Sequence, residues 1–393
     1  MTPAARVQAA IEILDLVVAA ARGGGAPADR IVFLWFRTRR FAGSGDRRAV
    51  RDLAYAAIRA CGNTPASGRA AMLLLAQRDP ALAALFDGSR HAPAPIAADE
   101  PVAKAGIAPR WLTAALRGSD IDGAEAAALL ARAPLDLRVN TFQADRAEIA
   151  LPLEGEVLPT PNGLRFPHGT QVEQWDAYRD GQIEVQDAGS QWTCAAVGAA
   201  PGETVVDLCA GAGGKTLALA AAMAGRGRLI ASDTDRRRLS QLEPRAARAG
   251  AAAVETRLLN PGQEMAALAD VAGAADAVLV DAPCSGTGTW RRNPEARWRL
   301  TSAQLARYAA AQAHLLDLAA KLVRPGGRLV YVVCSLLDTE GADQAAAFLA
   351  RHSAWRAALP ALPAGRPRGA GLRLTPLHDG TDGFFIARFD SPC

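Results

Sequence analysis

Two of the six cysteines stand where a thiol could do chemistry. Cys284 lies in Asp281-Ala282-Pro283-Cys284-Ser285-Gly286-Thr287-Gly288, and Cys334 closes the apolar run Leu329-Val330-Tyr331-Val332-Val333 before Ser335. Each follows a hydrophobic run and opens a short segment marked by small residues, the sequence pattern of a strand that ends in a loop. A third such place is Asp207-Leu208-Cys209-Ala210-Gly211-Ala212-Gly213-Gly214-Lys215-Thr216. Glycines at a strand-to-helix turn let backbone N–H groups approach a nucleotide-like ligand. The loop lacks the first glycine, four residues before Gly-Lys, that a triphosphate-binding loop requires, so a nucleoside cofactor without a triphosphate is favoured. Asp233 closes the next apolar run and is suited to accept hydrogen bonds from both hydroxyls of a ribose. One cofactor loop and two thiols point to covalent group transfer.

The elements that must hold these residues are legible in the pattern. From Ile183 onward, apolar runs at Thr204–Leu208, Arg228–Ala231, Ala277–Val280 and Arg328–Val333 alternate with helical stretches, and Phe384–Phe389 reads as a last strand. This predicts an α/β domain with a doubly wound, mostly parallel sheet over 183–393. In such a sheet ligands bind at the carboxyl ends of the strands, and Asp233, Asp281, Cys334 and the 209–215 loop all fall there. Residues 106–182 read as a small α+β module, with a helix over 123–132, a short helix over 146–149 and strands at 135–139, 155–158 and 163–166. Residues 1–105 read as an all-helical domain. There Ser44-Gly45-Asp46 is expected to cap a helix whose apolar residues Val50, Leu53, Ala54, Ala57 and Ile58 recur at three and four. The Pro/Ala-rich stretch from His91 to Pro101 reads as its edge.

With 393 residues, half of them hydrophobic, the chain can bury several cores and is not a disordered tail. The formal charge is only +4, but of the 44 basic residues just Lys104, Lys215 and Lys321 are lysine. Arginines cluster at 30, 37, 39, 40, 47, 48, 51 and 59, then at 236–238 and at 291, 292, 297 and 299, which is what phosphate binding depends on. The cysteines at 61, 194, 209, 284, 334 and 393 have no zinc-type spacing, so no metal is expected and free thiols of a reducing cytoplasm fit best. Cys61, Cys194 and Cys209 read as buried small hydrophobes, and His314 as a packing residue within a helix. No run reaches the length of a membrane span, and Glu12 and Asp15 interrupt what would be a signal segment.

From Leu137-Arg138-Val139-Asn140 to the C-terminus the chain resembles the NOP/Sun family of RNA 5-methylcytosine methyltransferases, most closely a bacterial branch of it that acts on small-subunit ribosomal RNA. The resemblance is carried by that segment, by Val185-Gln186-Asp187-Ala188-Gly189-Ser190, by the cofactor loop, by 281–288 with Arg291-Arg292-Asn293-Pro294, by Val333-Cys334-Ser335 and by Asp382-Gly383-Phe384-Phe385. It implies a Rossmann-like methyltransferase domain preceded by a NusB-like RNA-binding domain and the small module, acting in the cytoplasm as a monomer. It implies S-adenosylmethionine held by Cys209, Ala210, Gly211, Ala212, Gly213, Gly214, Lys215, Asp233, Asn260 and Asp281. Cys334 would be the attacking nucleophile, Cys284 would assist product release, Asp281 would bond the cytosine edge or the cofactor, and Lys215 would add positive charge. Three positions depart from the family pattern: Ala212 where proline is commoner, Val333 where threonine usually precedes the nucleophile, and Asn260 where an acid often meets the adenine. The other readings kept open are a tRNA cytosine methyltransferase, a DNA cytosine methyltransferase with the Pro-Cys thiol as nucleophile, and an RNA-binding assembly factor without catalysis.

Overall fold

A computed structural model describes residues 1–393, which divide into two compact units: Met1–Ala131 together with Thr289–Thr301, and Arg132–Gly288 together with Ser302–Cys393. The first unit is helical. Its main helices are α1 (Pro3–Gly23), α2 (Ala28–Arg37), α3 (Ser44–Ala60) and α4 (Gly68–Ala76). Val7, Leu14, Val50, Ile58 and Met72 are fully buried on the faces that meet, at a gain of roughly 1.5–3 kcal/mol for each large side chain. Thr2 caps α1 by accepting from Ala5 N at 3.2 Å, and Ser67 caps α4. The expected cap on α3 is absent: the helix begins at Ser44 behind Gly43, and Asp46 instead pairs with the Met1 ammonium at 3.2 Å and with Arg6 at 2.8 Å.

Thr289–Thr301 belongs to this helical unit, an insertion that periodicity could not announce. Trp298 is part of the helical core. Arg297, fully buried, donates to the carbonyls of Ile58 at 2.7 Å, Arg59 at 3.2 Å and Cys61 at 2.9 Å. Arg299 donates to Gly25 O at 2.8 Å and Ala26 O at 2.7 Å, while Glu295 accepts from Ala28 N at 2.9 Å. The arginines at 297 and 299, expected from the sequence to join a phosphate-binding cluster, are therefore internal staples. Burial pulls the Arg297 guanidinium down to about 10, and carbonyl oxygens take the place of water around it.

The second unit holds two sheets. The smaller has the order β2-β3-β1-β4, from β1 (Leu135–Val139), β2 (Glu156–Val157), β3 (Gly163–Phe166) and β4 (Ile183–Val185), with every pairing antiparallel. The short helix expected over 146–149 is only a turn, and the helix from Gly123 ends at Ala128. The larger sheet is built from β5 (Thr204–Asp207), β6 (Arg228–Asp233), β7 (Glu255–Leu258), β8 (Ala275–Asp281), β9 (Val323–Val333), β10 (Arg356–Ala358), β11 (Arg366–Arg368), β12 (Gly371–Leu374) and β13 (Phe384–Asp390). Its order is β11-β12-β13-β9-β8-β5-β6-β7, with β10 on β13. Strands β7-β6-β5-β8-β9 are parallel and β13 runs antiparallel to β9. Val206, Ile230, Val278 and Leu329 point to one face and Val205, Ala231, Ala277 and Val330 to the other, each in its own hydrophobic core. Chain order reverses between β5 and β8, so the crevice at their carboxyl ends is where a ligand would enter.

Candidate active site

Four strand ends supply the site. Beyond β5, Gly211 at φ 55° and Gly213 at φ 88° turn the chain into the helix Gly214–Ala222. A Cβ at Gly213 would collide with Leu242 Cδ1, so both conformation and space require glycine there. No side chain caps this helix, and its first N–H groups are left for a ligand. At the end of β6 the Asp233 carboxylate accepts from Gly211 N at 2.8 Å and from Asp235 N at 2.7 Å, tying the loop to the strand end. Asp235 is the residue that caps the following short helix, through Arg238 N at 3.1 Å.

At the end of β8, Asp281 accepts from Lys215 Nζ at 2.6 Å, and the same ammonium lies 5.7 Å from the centre of the Phe384 ring. Burial works against the Lys215 charge, but Asp281 outweighs it and the lysine is held above its ordinary range. The Asp281 carboxylate expected to meet cytosine or cofactor is thus shared with an internal ion pair. Asp207, at the end of β5, is fully buried, and that burial pushes it up to about 7 although Thr216 donates to it at 2.7 Å.

Cys284 Sγ and Cys334 Sγ, fifty positions apart in sequence, lie 3.4 Å from each other at the ends of β8 and β9. The hydrogen bond with Cys334, burial and the nearby Glu340 charge push the Cys284 thiol well above the ordinary cysteine range. The two thiol-bearing turns are fastened together: Gly288 N donates to Cys334 O at 3.0 Å and Leu336 N donates to Thr287 Oγ1 at 2.9 Å. Gly383 N in turn donates to Gly288 O at 2.8 Å, and the Asp187 carboxylate accepts from Asp382 N at 3.1 Å and Gly189 N at 2.8 Å. The Asp382-Gly383 and Asp187 motifs are therefore braces of the thiol turn.

The edge gathers the 209–215 loop, Asp233, Asp281, Cys284 and Cys334, as the strand pattern expects. Asn260, two residues beyond β7, is exposed. Cys61 and Cys194 are buried, whereas Cys209 is half-buried. His314 is not a packing residue: more than half of its side chain is exposed, and it meets Glu264 at 3.2 Å. Missed by sequence reasoning are Asp207, Gln312, Ser335 and Glu340. Asp207 and Ser335 stood inside motifs already read, without a role of their own, while Gln312 and Glu340 left no signal in the sequence.

Residues 195–390 match the family described as 16S rRNA methyltransferase RsmB/F. A ribosomal RNA small subunit methyltransferase B of Xylella fastidiosa (strain 9a5c) is 37% identical over 289 residues, covering 71% of this chain and 68% of that protein. The chain belongs to the RsmB/F family. A probable member in Synechocystis sp. (PCC 6803) is 36% identical over 268 residues, 64% of this chain and 59% of the relative. The match thus spans about three fifths of that family member's length. Among solved structures, a methyltransferase homolog from Pyrococcus horikoshii superposes with a TM-score of 0.58 at 26% identity, over 68% of this chain and 89% of that one. NSun6 from the same organism, solved with SFG, gives 0.64 at 20% identity over 72% and 98%, a likeness of fold. The NOP/Sun resemblance read from the motifs is thereby established, with its Rossmann-like methyltransferase fold.

Proposed function

We propose that this protein transfers a methyl group from S-adenosylmethionine to carbon 5 of a cytosine in RNA, with small-subunit ribosomal RNA as substrate, through a covalent adduct on Cys334. The observation that carries the reading is the pair of thiols 3.4 Å apart at the carboxyl ends of β8 and β9, beside the Lys215–Asp281 pair. A single nucleophilic thiol would serve addition alone, while a second touching it serves a reaction that must also release its adduct.

Carbon 5 of cytosine is a poor nucleophile until a thiolate adds to carbon 6. Cys334 forms that carbon–sulfur bond, and the displaced electron pair makes carbon 5 nucleophilic. S-adenosylmethionine supplies, when bound, a methyl group activated by its sulfonium. Lys215 keeps positive charge beside Cys334, which favours the thiolate. Once carbon 5 carries the methyl group, its proton passes to solvent water, the electron pair left behind re-forms the double bond between carbons 5 and 6, and the carbon–sulfur bond breaks so that Cys334 departs as thiolate, with Cys284 alongside to assist.

The residues present suit the cofactor. The uncapped helix start at Gly214 offers N–H groups to a carboxylate, and Asp233 at the end of β6 offers acceptors to a ribose. Ala212, Cys209 and Ala210 are assigned to the loop wall, and Asn260 beyond β7 is assigned to the adenine. Residues 1–105 with 106–182 are assigned to RNA capture. Six of the eight arginines between 30 and 59 are exposed, namely 30, 37, 40, 47, 48 and 51.

The test is adduct formation with RNA from cells lacking the gene. Cys284→Ala should accumulate a protein–RNA species that survives denaturing electrophoresis, while Cys334→Ala forms none. Exchange of the two phenotypes would move the nucleophile to Cys284, the DNA-type arrangement.

A further inference from the structure

Beneath the two thiols lies a carboxylate that the chemistry above does not use. Glu340 is fully buried and has no Lys, Arg or His partner. Its Oε1 accepts from Ser285 N at 2.8 Å and from Gln312 Nε2 at 3.2 Å, and its Oε2 accepts from Ser335 Oγ at 2.6 Å and from Ser285 Oγ. Ser285 follows Cys284 and Ser335 follows Cys334, so one side chain holds both thiol-bearing turns. The groups around that ring are equally directed. Because Ser335 gives its proton to Glu340, the Thr287 hydroxyl at 3.1 Å must donate to Ser335, and Thr287 then accepts from Leu336 N. Gln312 also donates to Pro283 O at 2.9 Å, and the Tyr331 hydroxyl donates to the Glu340 carbonyl at 2.5 Å.

A charge buried without a counter-ion costs several kcal/mol, and well-packed apolar residues would brace two loops without that cost. Its position relative to the thiols gives it a use. The hydrogen bond to Cys334 and burial hold the Cys284 thiol up, and the Glu340 charge adds to them, with the Tyr308 and Tyr331 hydroxyls as the other titratable groups facing it. Cys334 is the thiol within electrostatic reach of the Lys215 ammonium, itself paired with Asp281. The pair is therefore set between an anion and a cation.

We propose that Glu340 is the positioning residue of the thiol pair: its carboxylate ties the Cys284 loop to the Cys334 turn, and its charge reserves the proton of the pair for Cys284, leaving Cys334 as the thiolate. The division of labour between two chemically identical side chains is thereby set by a residue that touches neither substrate nor cofactor. This inference rests on the two-thiol chemistry proposed above, but it is tested without RNA or cofactor, so the two can fail separately.

The experiment is alkylation of the full chain by iodoacetamide between pH 6 and 10, with the rate at each cysteine read by peptide mass spectrometry. In the unsubstituted protein Cys334 should react first as pH rises and Cys284 should lag. Glu340→Gln should move the Cys284 midpoint down by roughly one pH unit, about a tenfold faster reaction at fixed pH below it. Ser335→Ala, which removes a donor and keeps the charge, should leave that midpoint in place. Deprotonation of Cys284 before Cys334 in the unsubstituted chain overturns the proposal without any variant, which covers the case of Glu340→Gln failing to fold. An unchanged Cys284 midpoint in a folded Glu340→Gln protein, or faster alkylation of both cysteines at every pH with no shift in midpoint, also overturns it by reducing Glu340 to a brace.

Discussion

Asp207 has one oxygen on Thr216 and the other, Oδ1, buried with no partner, and burial raises it from 3.8 to about 7. Its folded value lies above its unfolded one, so between pH 4 and 7 the folded chain binds more protons and Asp207 alone makes stability fall as pH rises. A rise of that size corresponds to at most about 4 kcal/mol. Asp207→Asn keeps an acceptor for Thr216 and should flatten the loss of stability between pH 4 and 7, measured by urea unfolding at several pH values. Equal pH slopes in both proteins would mean that the carboxyl stays ionised. Asp233 is engaged twice by backbone N–H groups and still ends the strand beside the 209–215 loop. Asp233→Ala should weaken S-adenosylmethionine binding by roughly 1.5–3 kcal/mol, ten- to hundredfold, with RNA affinity unmoved. Calorimetry that finds cofactor affinity unchanged would make the residue a loop fastener only.

Among the elements, the parallel strands and the residues at their ends were legible because a strand buried on both faces writes an unbroken apolar run, and because loops after such strands carry Gly, Pro and Ser. Asp233, Asp281, Cys284 and Cys334 were found that way. Glu340 was not, since its function depends on donors from Ser285, Ser335 and Gln312, which come together only when β8 pairs with β9 and the helix Ser302–Ala320 lies over them. The Asp382-Gly383 turn was seen as a motif without a role for the same reason: its partner, Gly288, is nearly a hundred residues away. A Cβ on Gly288 would run into the Gly383 carbonyl, so the close approach depends on the absence of a side chain. Gly288→Ala should therefore cost about 1–3 kcal/mol by overpacking. Because the same turn carries Cys284, the variant should also lower adduct release more than cofactor binding. Unchanged stability in denaturant would show that the turn can yield.

For the whole molecule, the consequence of placing Thr289–Thr301 in the helical unit is that this unit cannot be removed as a separable arm. Deleting α1–α4 takes away the carbonyls of Ile58, Arg59 and Cys61 that hold Arg297 and those of Gly25 and Ala26 that hold Arg299, and it uncovers Trp298. The chain runs from that segment directly back to Gly288 and the Cys284 loop, so a truncated protein would confuse weakened RNA binding with a missing anchor. Surface charge is the cleaner probe. Arg37, Arg40, Arg48 and Arg51 are exposed, whereas Arg39 stacks on Trp35 at 4.0 Å and Arg59 is half-buried. Replacing those four by Gln leaves the helical core intact and should lower RNA affinity while sparing cofactor binding. Each arginine–phosphate pairing removed should reduce the slope of log affinity against log salt by roughly 0.7–0.9, so that all four together change it by about three. The measurement is binding of one small-subunit ribosomal RNA fragment across a salt series, by the substituted and unsubstituted chains. Equal slopes would remove this arginine face from the RNA path and turn attention to the exposed Arg236, Arg237 and Arg238, which follow β6.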